Sequence, residues 1–187
     1  MLKKAIISMF LPVVLAATWV PVAQAASSDW NQVEVAEFEA TKGDYVMADL
    51  KNSTGYLLND ETKTYASFPL LSGQKRKVYY LGRSYFAATP EQTWIVRELA
   101  IQSDRVTFSK SGEFLRLYDG EKRTSYGIHG NKYFQTMTSR ENKYVSMGCI
   151  LVADDVLDII QNSFDADEKE MRVITTSDET TLPFYEE

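Results

Sequence analysis

The chain reads SYGIHG at residues 125–130 and SMGCILV at residues 146–152, and these two stretches hold its only histidine, His129, and its only cysteine, Cys149. A thiol attacks a carbonyl carbon well only when its pKa is lowered or its proton is removed, and imidazole is suited to remove that proton near neutral pH. Any thiol–imidazole chemistry of this chain must use these two residues. The pattern therefore predicts a nucleophile at Cys149 and a general base at His129.

The presence of a single cysteine limits what its thiol can do. One cysteine cannot form an internal disulfide, so the thiol is buried and inert, paired with another chain, or functional. The neighbouring residues favour the functional alternative, with a reactive thiol of lowered pKa. One histidine and one cysteine do not make a zinc site without carboxylates nearby, so neither a metal nor a cofactor is expected.

The N-terminal 25 residues have the pattern of a secretory signal peptide. Lys3 and Lys4 precede an apolar run over residues 5–20, and an Ala-x-Ala cleavage pattern ends at Ala25. The run is short for a membrane-spanning helix, so a retained anchor is the weaker alternative. No cysteine lies near the cleavage site, which excludes a lipoprotein. We expect cleavage after Ala25 and export to the periplasm or cell envelope.

The charge of the chain argues against two classes of partner. The sequence has 20 Lys and Arg residues and 26 Asp and Glu residues, and removing residues 1–25 leaves 18 basic residues, a net charge of −8. A protein this acidic is poorly suited to nucleic acid or to an anionic membrane surface. Lys75, Arg76, Lys77 and Arg83 form a local basic cluster. It is either a solvated loop or a rim that attracts a carboxylate-bearing substrate.

The rest of the pattern predicts a mostly β domain with one helix. Short runs rich in Tyr, Val, Leu and Thr alternate with turns rich in Asn, Asp and Gly. The expected elements are strands at 44–50, 56–58 and 62–68, a hairpin of 105–109 with 114–118, a helix from 154 to about 162, and a strand at 171–175. Residues 26–43 are a lead-in without a clear pattern. Cys149 is expected at a strand end directly before the helix, where backbone N–H groups favour a thiolate and a developing oxyanion.

The order of four short motifs resembles the L,D-transpeptidase catalytic domain, also called the YkuD domain. The motifs are PLLSG at 69–73, ATP at 88–90, YGIHG at 126–130 and SMGCI at 146–150. The signature of that family is a histidine, about sixteen residues, then Ser/Thr-His-Gly-Cys, and here sixteen residues separate His129 from Ser146. The resemblance implies a YkuD-like β-sandwich with a short helix after the cysteine. It assigns residues 44–176 to the catalytic domain and leaves 177–187 as an acidic tail that we expect to fray.

The resemblance also implies a reaction on peptidoglycan stem peptides. Cys149 would attack the carbonyl between a diamino acid and a terminal D-amino acid, which leaves, and a thioester would form. His129 would take the thiol proton, with its other ring nitrogen held by the carbonyl of Gly130. The N–H groups of Gly148 and Cys149 would hold the oxyanion, and Ser146 would shape the turn or bind substrate.

Two residues depart from the family pattern. Met147 stands where a second histidine is usual, which is tolerable because the base falls on the earlier histidine. Leu151 stands where an arginine is usual, and leucine cannot replace a guanidinium that binds a carboxylate. Strand alternation places Leu151 on the opposite face from Ile150 and Val152.

A cation elsewhere could take the place of the missing arginine. Arg140 and Lys143 are candidates, although solvated loop charges are the plainer interpretation of both. The residues expected to contact substrate are Tyr126, Met147, Leu151, Arg140 and Arg83.

Three functions remain open at this point. An amine acceptor would make the protein a transpeptidase that cross-links stems. A water acceptor would make it an L,D-carboxypeptidase or amide hydrolase that trims them. The departures at Met147 and Leu151 also allow an inactive wall-binding relative. In each case the partner is peptidoglycan, with no nucleic acid and no stable membrane anchor.

Overall fold

The computed structural model describes residues 29–80 and 82–185, so the predicted signal peptide lies outside the described residues. Thirteen strands dominate: β1 (Asn31–Val33), β2 (Asp44–Asp49), β3 (Thr54–Asn59), β4 (Thr64–Pro69), β5 (Ser72–Gly73), β6 (Lys77–Tyr80), β7 (Arg83–Phe86), β8 (Gln92–Ile101), β9 (Glu113–Asp119), β10 (Lys122–His129), β11 (Tyr144–Ser146), β12 (Ile150–Leu151) and β13 (Met171–Thr176). The α-helices are α1 (Phe134–Thr138) and α2 (Asp154–Ala166), and short 3-10 helices span Val35–Glu37 and Glu179–Thr181. The predicted mostly β domain with a helix after the cysteine is confirmed.

Nine of the strands form one mixed sheet in the order β1-β4-β3-β2-β13-β8-β9-β10-β12. The last strand of the chain, β13, lies in the middle, parallel to β2 and antiparallel to β8. Two further pairs of short strands lie outside the nine-stranded sheet. Strands β5 and β11 are parallel, and strands β6 and β7 are antiparallel. Side chains from both ends of the sheet share one core cluster, including Phe68 of β4 and Ile150 of β12, so the sheet curves around that core.

The turns of the β2–β3–β4 meander are built by side chains that bind the backbone. Asp49 accepts hydrogen bonds from the N–H groups of Lys51 and Asn52 at 2.9 and 3.0 Å. Asn59 does the same for the two residues after Asp60. Such Asx turns are why Asn and Asp mark chain reversals in the sequence.

Helix α2 covers one face of the sheet and is longer than the sequence suggests. Val156, Leu157, Ile160 and Phe164 are buried along one side, as the helical spacing requires. The helix continues to Ala166, not to about residue 162, because Phe164 extends the apolar side by another turn.

The predicted strand at residues 105–109 is wrong. Asp104 accepts hydrogen bonds from the N–H groups of Val106 and Thr107 at 2.9 and 3.1 Å, and the chain coils into turns there. The apolar residues Val106 and Phe108 suggested alternation, but the side chain of Asp104 satisfies backbone donors that a strand ladder would otherwise use. Strand β9 pairs with β8 instead, and residues 102–112 connect them.

The C-terminal segment does not fray over its described part. Leu182 is buried, and Phe184 stacks on Tyr65 at 4.1 Å between ring centroids, with Trp30 of the lead-in packed against the same cluster. The many acidic residues of this segment suggested solvation, but its aromatic and aliphatic side chains outweigh them. Among the described helices, none combines the length and the apolar character needed to cross a membrane.

Candidate active site

A cleft of about 880 Å³ lies on the face of β10 and β12 that turns away from the main core. His129 and Cys149 both line it. Strands β10 and β12 are parallel, with Ile128 opposite Ile150 and His129 opposite Leu151. Because successive side chains alternate between the faces of a strand, the two isoleucines enter the core while His129, Leu151 and Cys149 face the cleft.

His129 is held as a neutral base. It is only 4% exposed, and its Nδ1 lies 2.7 Å from the carbonyl oxygen of Gly130. A carbonyl can only accept, so Nδ1 carries the proton and Nε2 keeps its lone pair. Burial lowers the pKa of His129 to about 4 and outweighs the carbonyls of Gly130 and Thr107, which favour the charged form.

Two phenylalanine rings supply much of that burial. The rings of Phe108 and Phe114 lie 4.7 and 5.6 Å from the imidazole, centroid to centroid. Phe108 belongs to the segment 102–112, which is tied to helix α2 by a 2.6 Å hydrogen bond from Ser109 to Asp154. The sequence does not identify Phe108 as part of the site, because its contact with the imidazole depends on turns where the sequence pattern predicts a strand.

The thiol of Cys149 rests in its neutral form. Its sulfur lies 3.8 Å from the carbonyl oxygen of Ser125, to which the thiol donates. Desolvation raises the pKa of Cys149 to about 11, while the N–H of Gly127 and the charge of Arg116 act in the opposite direction. The expectation of a thiol with lowered pKa is therefore wrong for the ligand-free protein. Cys149 is partly exposed as a residue and lines the cleft.

Helix α2 begins at Asp154, as predicted. Strand β12 separates it from Cys149, so the start of the helix lies beside Gly130 and not beside the cysteine. A Cβ atom on Gly130 would lie 2.3 Å from a carboxylate oxygen of Asp154. The dipole of the helix is therefore directed at the His129–Gly130 corner and is neutralised there by an acidic side chain.

The cysteine loop, residues 146–149, is braced from within. Ser146 accepts a hydrogen bond from the N–H of Gly148 at 3.1 Å and donates one to the carbonyl of Cys149 at 2.6 Å. Gly148 has φ +118°, and a Cβ there would lie 2.5 Å from the ring of Tyr126, so only glycine fits. Of the two predicted oxyanion donors, the Gly148 N–H is thus already used, whereas the Cys149 N–H has no acceptor within the described residues.

Two other sequence motifs meet at this loop. The hydroxyl of Thr89 accepts from the N–H of Gly73 and donates to the carbonyl of Gly148, both at 2.9 Å. A Cβ on Gly73 would lie 2.1 Å from the carbonyl oxygen of Ala87, so the backbones touch. The hydroxyl of Tyr85 donates to the carbonyl of Met147 at 3.1 Å. The motifs at 69–73 and 88–90 therefore position the loop that carries the cysteine.

Most of the residues expected to contact substrate line the cleft, and Arg140 does not. Tyr126, Met147, Leu151 and Arg83 are in its wall. Arg140 lies outside the cleft, exposed at the surface, and Lys143 donates to the backbone carbonyls of Thr138 and Arg140 after α1. Neither can replace the missing arginine, because the side chain of Lys143 closes the end of α1 and Arg140 is on another surface.

The basic cluster is divided by the fold. Arg83, on β7, lines the cleft. Lys75 lies over the ring of Tyr144 at 3.9 Å, and Arg76 donates to Gln74 at 2.7 Å. Lys75, Arg76 and Lys77 are not among the residues that line the cleft, so Arg83 is the one of the four that a substrate there would meet.

Leu151 forms an apolar wall where the family pattern has a charge. It is 4% exposed and packs with Leu71 and Phe134, and Met137 and Val145 continue the wall into the cleft.

The substitution Leu151→Arg is expected to destabilise the fold rather than to restore carboxylate binding. It would put an unpaired cation and extra volume into a packed apolar cluster, at a cost of about 3 kcal/mol or more. Chemical denaturation would measure the loss, and Leu151→Met, which keeps volume and polarity, should cost less than about 1.5 kcal/mol. Normal stability of Leu151→Arg with a lower KM would show that the wall can open to bind a carboxylate.

Within residues 29–80 and 82–185, no three His, Cys, Asp or Glu side chains gather as a metal site.

Comparison with known proteins adds a family and a fold. A family model described as the L,D-transpeptidase catalytic domain, YkuD, matches residues 43–173. An L,D-transpeptidase structure from Xylanimonas cellulosilytica is 22% identical, with a TM-score of 0.50, over 74% of this chain and 63% of that one. The structure of Bdellovibrio bacteriovorus Bd1075 is 14% identical, with a TM-score of 0.51, over 77% and 51%. At these identities the likeness shows the fold alone. A search of curated proteins found no significantly similar sequence.

Proposed function

Since this chain belongs to the L,D-transpeptidase catalytic domain family, we propose that it is a cysteine acyltransferase acting on peptidoglycan stem peptides. One observation carries the proposal: the only thiol and the only imidazole of the chain face the same cleft, and the imidazole is fixed with Nε2 free of its proton. The chain spans 63% of the length of the Xylanimonas structure and 51% of the length of the Bdellovibrio structure. The reaction is therefore proposed only for the domain that this chain contains.

The first half of the reaction makes a thioester. The sulfur of Cys149 attacks the carbonyl carbon between the diamino acid and the terminal D-amino acid, and His129 takes the thiol proton. The tetrahedral intermediate collapses, the C–N bond breaks, and the imidazolium returns its proton to the departing amine. The thiol's pKa of about 11 lies far above the imidazole's of about 4, so proton transfer accompanies the attack and does not precede it.

The second half transfers the acyl group. An amine of another stem attacks the thioester while His129 accepts its proton, and the sulfur leaves and recovers a proton as a thiol. The Cys149 N–H supports the oxyanion in both halves, since it is the loop donor not already used. The predicted signal peptide, residues 1–25, would deliver the enzyme to the cell envelope, where such stems occur.

Incubation with disaccharide-tetrapeptides tests the proposal. We expect release of the terminal D-amino acid, a protein adduct of the acyl group on Cys149, and a cross-linked dimer, all measurable by mass spectrometry. Cys149→Ala is the control and should form none of them. A tripeptide without dimer at every acceptor concentration would identify a carboxypeptidase, and no change in any stem would identify an inactive relative.

A further inference from the structure

Arg116 is a mostly buried cation in the wall of the cleft. It lies on β9 opposite Gly127 of β10, and on the other side of β10 Cys149 directly precedes Ile150 of β12, which is paired with Ile128. Arg116 and Cys149 thus lie on either side of Gly127, and both line the cleft. Among the described charged groups, Arg116 is the one whose charge acts on the pKa of Cys149.

The guanidinium is held in place, but most of its donors are unused. Nη1 donates to the carbonyl of Thr124 at 2.8 Å, and Cζ lies 4.8 Å from the centre of the Phe114 ring. Nε lies 3.3 Å from a carboxylate oxygen of Glu98 without the geometry of a hydrogen bond, and no other described group accepts from it. The side chain is only 12% exposed. A buried cation with free donors is suited to an anionic ligand.

The charges around Arg116 leave this wall positive. Glu98 is already held by two 2.8 Å hydrogen bonds from Arg123 and one of 3.1 Å from Tyr118, and the Arg123 bonds lower its pKa to about 2. Two guanidinium groups therefore share one carboxylate. Lys122 and Arg83 also line the cleft, and Asp119 is the one acidic residue among its described lining residues, so basic groups outnumber acidic ones there. An anionic group entering the cleft is drawn to this side and away from the apolar wall at Leu151.

We propose that Arg116 binds a carboxylate of the acyl donor and thereby holds the scissile carbonyl against Cys149. This rests on the proposed function and specifies the donor: a peptide with a free carboxylate near the bond that is cleaved. Two carboxylates satisfy that chemistry, the one on the departing terminal residue and the one on the side chain of the diamino acid. Planar, paired N–H donors fit either.

The test compares three donors: the tetrapeptide acid, its C-terminal amide, and the tetrapeptide whose diamino acid carboxylate is amidated. For the wild type we expect kcat/KM to fall at least about tenfold with one of the two amides, mainly through KM. The amide with the lower kcat/KM shows which of the two carboxylates Arg116 binds. Arg116→Gln should raise KM for the acid by the same factor and show no further rise in KM on that amide. A separate fall in kcat is expected on every donor, because the arginine charge favours the thiolate of Cys149. Arg116→Lys should recover part of the affinity for the acid that Arg116→Gln loses. Arg97→Gln is the control, since it removes an ion-paired arginine on β8 outside the cleft, and it should behave as wild type.

A binding measurement separates this proposal from the proposed function. The three donors are titrated calorimetrically into Cys149→Ala and into Cys149→Ala with Arg116→Gln. If the wild type turns over no stem but the acid binds at least tenfold more weakly without Arg116, the proposed function is wrong and the carboxylate site stands. If Arg116→Gln weakens acid and amides equally, or only lowers the unfolding temperature, the arginine is structural and the proposal is overturned. Absence of binding by every donor overturns it as well.

Discussion

The substitution His129→Gln is expected to lower kcat by about 10²–10⁴-fold, the usual contribution of a general base. Glutamine can still contact the carbonyl of Gly130, so the corner should keep its shape, but it has no nitrogen that accepts the thiol proton. The thiol of Cys149 would have to lose its proton to water, from a pKa of about 11. Release of the terminal D-amino acid from a stem tetrapeptide measures the effect.

The pH profile of the wild type provides a second measurement of the same base. His129 acts only when neutral, so kcat/KM should fall as the pH drops through its folded pKa of about 4, and not through the ordinary 6.5. Met147→Leu is the matched control: Met147 is 38% exposed in the cleft wall and has no titratable proton, so turnover and profile should not change. Full turnover by His129→Gln alongside an inactive Cys149→Ala would assign the base to another group.

Alkylation of Cys149 by iodoacetamide at pH 7 is expected to be roughly 100-fold slower in the folded protein than in the unfolded chain. Only the thiolate reacts, and burial raises the pKa from 9.0 to about 11, so about 100-fold less thiolate is present. The labelling rate should rise about tenfold for each pH unit up to that value.

This experiment discriminates a neutral pair from an ion pair. A labelling rate that is already high and independent of pH around neutrality would mean that His129 holds the thiol proton before substrate arrives. Labelling in urea provides the reference for the unfolded chain, where the single cysteine avoids any ambiguity about which thiol reacts. The same protein with Arg116→Gln should be labelled more slowly still, because the arginine charge favours the thiolate.

The sequence predicted local features well and distant ones poorly. The turns at Asp49 and Asn59 and the pairing of β2 with β3 follow from residues that are neighbours in the chain. The cleft could not be predicted in this way. It brings Arg116 of β9 and Cys149 together through the register of the strands, which no local sequence pattern specifies. From composition alone, Arg116 could not be distinguished from the other arginines.

The chemical state of the site could not be read from residue types either. A cysteine and a histidine suggested a lowered thiol pKa, yet the raised value depends on how closely Phe108, Phe114 and the cysteine loop exclude water. Phe108 reaches His129 only because Asp104 coils the preceding residues into turns. Burial is a property of the assembled fold, and here it decides which protonation state the pair adopts.

The central position of β13 has a consequence for how the chain reaches this state. Until residues 171–176 are available, β2 and β8 have no strand between them, so the sheet exists only as two separate halves. Within that sheet, the strands that line the cleft, β8, β9, β10 and β12, are all in one half, and the aromatic cluster of Trp30, Tyr56, Tyr65 and Phe184 packs on the other. Pairing between strands so far apart in sequence slows folding, because a long loop must close first. The two halves should therefore join only after residues 171–176 have been synthesised, so the complete sheet forms after translation of that segment and not during it.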